Sequence, residues 1–85
     1  MKPDAIIAAL LAERERQDRK WGRDFRGRHD SFWLTILAEE FGEVAEAILE
    51  HDEENVKTEL IECAAVIFAW LEFRRWRRAG IRRTK

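Results

Sequence analysis

The sequence holds one cysteine, one proline and four glycines in 85 residues. The lone Cys63 permits no intramolecular disulfide, which fits a reducing cytosol. So little proline and glycine excludes collagen-like and linker-like chains. No stretch approaches the roughly 18 apolar residues that a spanning helix needs, so no membrane association is expected. The apolar start is interrupted by Asp4 and runs straight into charge, which makes a poor secretory signal. Length is scarce as well: it accommodates a single domain over residues 1–85 and excludes doubly wound nucleotide folds. A chain this short buries only about 60% of its unfolded surface on folding, so a second copy is a natural remedy. These absences describe a cytoplasmic, single-domain protein.

A charge excess of either sign is also missing, with 16 basic and 17 acidic residues and a net charge of −1. The balance conceals a segregation. Residues 1–35 carry 8 basic and 6 acidic groups, residues 36–72 carry 1 and 11, and residues 73–85 carry 7 and none. An acidic middle is therefore framed by basic ends. With 46% apolar and 39% charged residues the chain is not a disordered tail.

Helical periodicity accounts for nearly all of it, and no strand pattern occurs. The first segment spans about residues 4–20, with Asp4 as its cap and Ile6, Ile7, Leu10 and Leu11 on one face. Gly22 and Gly27 break the pattern in the loop WGRDFRGRHD, which also carries Trp21 and Phe25. The second segment covers about 31–50, capped by Asp30 or Ser31. At about 100° per residue, Trp33, Leu37, Phe41, Val44 and Ile48 form its apolar stripe. Glu39, Glu46 and Glu50 fall on the far side, while Glu40 and Glu43 flank the stripe. The third segment, about 56–79, has Asn55 as cap and Gly80 as the residue that ends it, leaving a basic tail at 80–85. Leu60, Ala64, Ile67 and Leu71 make one stripe on it; Glu59, Glu62, Val66, Trp70 and Phe73 make another. From Leu60 to Leu71 this helix is apolar nearly all round and must be covered on most sides. Two other helices in one chain do not suffice, so the expected architecture is all-α: a three-helix chain forming an oligomeric helical bundle, a homodimer or tetramer.

Two Glu-x-x-Glu pairs carry the chemistry. Glu40 and Glu43 lie one turn apart, as do Glu59 and Glu62. Antiparallel packing of the second and third segments would bring the pairs face to face. Four converging carboxylates repel one another, and a divalent cation relieves the conflict. An all-oxygen set favours a hard ion, Mg²⁺ or Mn²⁺. A ferritin-like di-iron site needs Glu-x-x-His. Neither His29 nor His51 has Glu three residues before it. The alternative is that these acids, like Glu39, Glu46, Glu50, Glu53 and Glu54, are a solvated face.

The runs WLTILAEEFGEVAEAILE and NVKTELIECAAVIFAWLE, with ERERQDRKWG before them, resemble the MazG-like group of all-α nucleoside triphosphate pyrophosphatases, in the short form common in phages and mobile DNA. That group places E-E-x-x-E on one helix and E-x-x-D on the next. Here these read Glu39-Glu40-x-x-Glu43 and Glu59-x-x-Glu62, with Glu62 where the family usually has Asp. The resemblance covers about residues 6–73. Longer members continue into a further helix whose basic groups hold phosphates, whereas AGIRRTK follows here.

The resemblance implies that Glu40, Glu43, Glu59 and Glu62 hold Mg²⁺, that a (d)NTP is hydrolysed to (d)NMP and pyrophosphate in nucleotide-pool control, and that Glu39 or a ligand carboxylate acts as base. Substrate contacts fall to Gln17, Lys20, Trp21 and Lys57. Trp21 either stacks on a base or plugs the core, Lys20 meets a phosphate or is solvated, and Lys57 reaches a phosphate or neutralises the acids. Trp33, Trp70 and Trp76 read as core or interface anchors, and Cys63 as a small buried apolar side chain. The basic end, residues 74–85, suits a helix C-terminus. It also allows two other roles, steering of polyanionic substrate and binding of nucleic acid. Binding of nucleotides or nucleic acid through this basic end defines the alternative function, a non-catalytic helical binding module.

Overall fold

The computed structural model describes residues 1–22 and 29–83, apart from the side chains of Trp21 and of residues 76–83. Phe25, Lys85 and the side chains of Trp76, Arg82 and Arg83 in the basic end lie outside the described residues. Three helices follow one another: α1 (Pro3–Trp21), α2 (Asp30–Leu49) and α3 (Glu53–Arg83). Among the described residues there is no strand. No described helix is long and apolar enough to cross a membrane.

Helix ends are set by local chemistry, and they differ in detail from the periodicity. Lys2, not Asp4, is the N-cap of α1; Pro3 opens the helix, where its missing N–H costs nothing, and Asp4 sits in the first turn against the positive end of the dipole. Gly22 ends α1 at φ 81°, ψ 175°, a conformation open essentially only to glycine. His29 is the extended N-cap of α2, so Asp30 and Ser31 both lie inside the helix.

The connection from α2 to α3 is a Schellman turn. The Asp52 N–H donates to Ala47 C=O at 3.0 Å and the His51 N–H to Ile48 C=O at 3.1 Å. His51 takes the left-handed position at φ 58°. Asp52 then serves as the cap of α3, its Oδ1 accepting the Asn55 N–H at 3.1 Å. This moves the start of α3 ahead of Asn55. At its other end α3 passes through Gly80 to Arg83, so Gly80 does not terminate it.

The tight turn makes α2 and α3 antiparallel. Trp33 lies against Phe73, with ring centroids 6.1 Å apart, and Asp30 meets Trp70 and Arg74. Further along, the Glu40–Glu43 pair meets Glu59–Glu62. Trp33, Val66, Ala69 and Phe73 form the core, flanked by Phe32, Ile36, Leu37 and Trp70. Buried Ala47, Ala65 and Ala69 let the helices approach closely. α1 packs on α3, not on α2. Its buried Arg14 ties it there, with Nη2 2.8 Å from Glu72 Oε1 and 2.9 Å from Asp18 Oδ1.

One expectation about packing is corrected. Phe41 and Ile48 were to share the core stripe of α2, yet they are 65% and 56% exposed. The stripe that meets α3 runs through Trp33, Leu37, Glu40, Val44 and Ala47 instead. Both stripes have helical spacing and stand about 100° or less apart, so periodicity alone does not choose between them. The choice follows from α3, which offers α2 the side bearing Glu59, Glu62, Val66, Ala69 and Phe73.

The third helix receives cover on two sides only. Leu60, Ile67 and Leu71 remain exposed, as do Leu34, Phe41 and Ile48 on α2. Each exposed set is displaced in the same rotational sense from the buried stripe of its helix. Because the helices are antiparallel, both displacements lead to one face of the pair, the face turned away from α1. The total accessible surface is 6526 Å² for 10.1 kDa, against about 5,300 Å² for a closed monomeric globule of that mass. The radius of gyration is 14.6 Å, where about 12 Å is expected of a compact chain of this length.

Candidate metal centre

Helix α2 supplies Glu40 and Glu43 one turn apart, and α3 supplies Glu59 and Glu62 in the same way. Antiparallel packing brings one oxygen from each of the four to within 4.8 Å of all the others. Glu59 is buried, Glu40 and Glu62 are half-buried and Glu43 is exposed, so the cluster opens to solvent on one side. Oε2 of Glu40 and Oε2 of Glu59 are buried without a hydrogen-bond partner. Two orphaned anionic oxygens inside a cluster of four carboxylates are costly unless a proton or a cation joins them.

Protons meet this demand only in part. Burial, then a hydrogen bond with Glu62 and the charges of Glu62 and Glu43, pushes the Glu40 carboxyl up to about 7. Burial, with hydrogen bonds to Glu43 and Glu62, pushes Glu59 up to about 8. A hydrogen bond between two carboxyl groups requires a shared proton; at neutral pH Glu59 mostly keeps its own and Glu40 about half, and both are lost at more alkaline pH. The four residues fit a hard divalent cation: every donor is a carboxylate oxygen, and the orphaned atoms belong to the set. Cys63 lies close by, but burial followed by the surrounding carboxylates raises its thiol pKa, which keeps it protonated and a poor ligand.

Glu39 is exposed and stands outside the cluster, as do Glu46, Glu50, Glu53 and Glu54. Gln17, expected at the substrate, is 2% exposed. Its amide Nε2 donates to Glu13 at 3.3 Å, and its Oε1 accepts from Arg14 at 3.5 Å, so it belongs to the α1–α3 packing. Lys20 is exposed at the end of α1. Lys57 is exposed on α3 and paired with Glu54 at 3.3 Å. The Trp21 side chain lies outside the described residues. Trp33 is buried, and half-buried Trp70 donates its indole N–H to Asp30 at 2.8 Å, so these two act as anchors.

Two residues near the cluster were not foreseen. Arg16 of α1 places Nη2 2.6 Å from Glu13 Oε2 and 3.7 Å from Glu62 Oε1. Both lie in ERERQDRKWG, but nothing in the spacing of that segment says that this side of α1 crosses α3 beside Glu62. No protein-family model, no curated protein and no solved structure matches the chain.

Proposed function

We propose that the chain is a divalent-cation-dependent nucleoside triphosphate pyrophosphohydrolase of the MazG-like, all-α kind, cleaving (d)NTP to (d)NMP and pyrophosphate. The observation that carries this reading is the four-carboxylate cluster with two buried, unpartnered oxygens. An acidic solvated face would not turn Glu59 inward. Glu40, Glu43, Glu59 and Glu62 would hold Mg²⁺ or Mn²⁺. When bound, such an ion neutralises phosphate charge and acidifies water. A carboxylate at the open side of the cluster takes a proton from the attacking water. The water oxygen bonds to the α-phosphorus while the bond from that phosphorus to the bridging oxygen breaks, and pyrophosphate leaves. Arg16, with Nη2 3.7 Å from Glu62, stands close enough to the cluster to balance part of its negative charge.

The same reading takes the bare face of α2 and α3 as the contact with a second copy. That face presents Leu34, Phe41, Ile48, Leu60, Ile67 and Leu71, six large exposed apolar side chains.

Pyrophosphate release measured with each (d)NTP and Mg²⁺ tests the activity. Turnover is expected for the wild-type chain, with a loss of at least about 100-fold in Glu43→Ala and Glu59→Ala, as for removal of a group that stabilises transition-state charge. No release with any triphosphate would reject the enzyme reading. Salt-dependent oligonucleotide binding lost on deleting residues 74–85 would then favour the non-catalytic alternative.

A further inference from the structure

The carboxylate cluster draws no positive charge from the two stretches of helix that build it. Lys57 is the one basic residue between positions 36 and 72, and it is paired with Glu54. The nearby cation comes from α1. Arg14 and Arg16 stand two residues apart, so they leave that helix in nearly opposite directions. Arg14 is buried and goes to Glu72 and Asp18, which makes it a structural tie. Arg16 goes the other way along α3 and meets Glu62.

Arg16 brings a further acid with it. Its fork is filled by Glu13, with Nε 2.8 Å from Oε1 and Nη2 2.6 Å from Oε2. The Glu13 side chain is only 12% exposed, and it also accepts from Gln17 Nε2 at 3.3 Å. Two donors thus fix its carboxylate in place. The same Arg16 nitrogen, Nη2, lies 3.7 Å from Glu62 Oε1. One guanidinium therefore stands between a carboxylate of α1 and a carboxylate of the cluster on α3. Without it, Glu13 becomes a fifth acid beside the other four, largely withdrawn from water and lacking its counter-ion. Carboxylates held that closely repel one another unless a cation lies between them. The cation there now is an arginine, whose charge cannot be removed by deprotonation.

We infer that Arg16 is the resident cation of the carboxylate cluster: standing between Glu13 and Glu62, it fills with a guanidinium the place that a second divalent ion would take, and so limits the protein's own side chains to holding one. The inference rests on the metal-centre reading and adds to it the number of ions and the residue that sets that number. Arg16 is a positioning residue in this role, acting through Glu62 and Glu13. Its positive charge repels a second cation, and its fork keeps Glu13 from serving as a ligand.

Mn²⁺ titration followed by electron paramagnetic resonance, which counts the free ion, tests this without substrate or turnover. The wild-type chain should hold one Mn²⁺. Arg16→Gln should hold a second, and should bind the first about tenfold more tightly because a unit positive charge beside Glu62 is gone. Arg16→Lys, which restores the charge, should return the count to one. The double variant Glu13→Gln with Arg16→Gln should also hold one, since the fifth carboxylate has left with the cation. Melting curves in EDTA confirm folding. If Arg16→Gln does not fold, Glu13→Gln carries the test: it releases Arg16 toward Glu62 and should weaken Mn²⁺ binding by about threefold. Two ions on the wild type, a single ion on folded Arg16→Gln, or unchanged affinity in Glu13→Gln would overturn the role of Arg16 and leave the metal centre standing. No Mn²⁺ on the wild type or on any variant would reject the metal-centre reading and this inference with it.

Discussion

Glu59 occupies a position that ordinary stability would give to an apolar residue. It is 9% exposed, and its Oε2 has no partner. Unfolded, its carboxyl and that of Glu40 titrate near 4.5; folded, they titrate near 8 and 7. Between those limits the folded chain binds more protons than the unfolded one, so its stability falls as pH rises. Metal-free protein should therefore melt at steadily lower temperature from about pH 5 to pH 8. Mg²⁺ or Mn²⁺ should restore the loss, and more at pH 8 than at pH 5.5, because protons compete for the same oxygens. Glu59→Gln should flatten the decline in EDTA and abolish the metal effect. Scanning calorimetry across pH, with and without metal, checks all three; a melting temperature that rises from pH 5 to 8 in EDTA would contradict the assignment. The identity of these four acids was legible from their spacing. Their depth was not: burial of Glu59 depends on which side of α3 meets α2. Likewise the burial of Gln17 beside Arg14 and Glu13 was not legible, because it depends on which side of α1 meets α3.

At the scale of the element, the turn between α2 and α3 decides whether a site exists. Nothing but an antiparallel pair in this register sets Glu40 and Glu43 across from Glu59 and Glu62. The turn works with an imperfect residue, since His51 adopts φ 58° where glycine is unstrained. Replacement His51→Gly should stabilise the chain by about 1 kcal/mol by removing that strain. Asp52→Ala should destabilise it by about 1 kcal/mol through loss of the α3 cap. Urea denaturation of the two variants should show opposite shifts in midpoint. Residue type alone points to Asn55 as the cap. The helix starts earlier because Asp52 both closes the Schellman turn and caps the next helix, a double use that only the backbone reveals.

The whole molecule is an open shape. α1 and α2 lie on two sides of α3, and the third side, with Leu60, Ile67 and Leu71, continues across to Leu34, Phe41 and Ile48. Substitution of Phe41→Lys with Ile67→Lys should convert an oligomer to a chain of about 10.1 kDa in light scattering. A wild-type chain that is itself a stable monomer at micromolar concentration would refute the proposed contact. Neither position is one of the four cluster carboxylates, so Mn²⁺ binding should persist in the monomer if one chain completes the metal site.

The sequence by itself determined three helices, their approximate limits and the pairing of acids one turn apart on two of them, because helical period and residue type are local properties. It also determined that α3 has more apolar circumference than two helices can cover. Tertiary structure decided which sector of each helix faces inward. Phe41 and Ile48 went out while Glu40 and Glu59 went in, because a helix that is apolar over much of its girth has several admissible stripes, and the partner's shape selects among them. It likewise turned a scarcity of net charge into an arrangement: an acidic cluster open on one side, with Arg16 held at its rim.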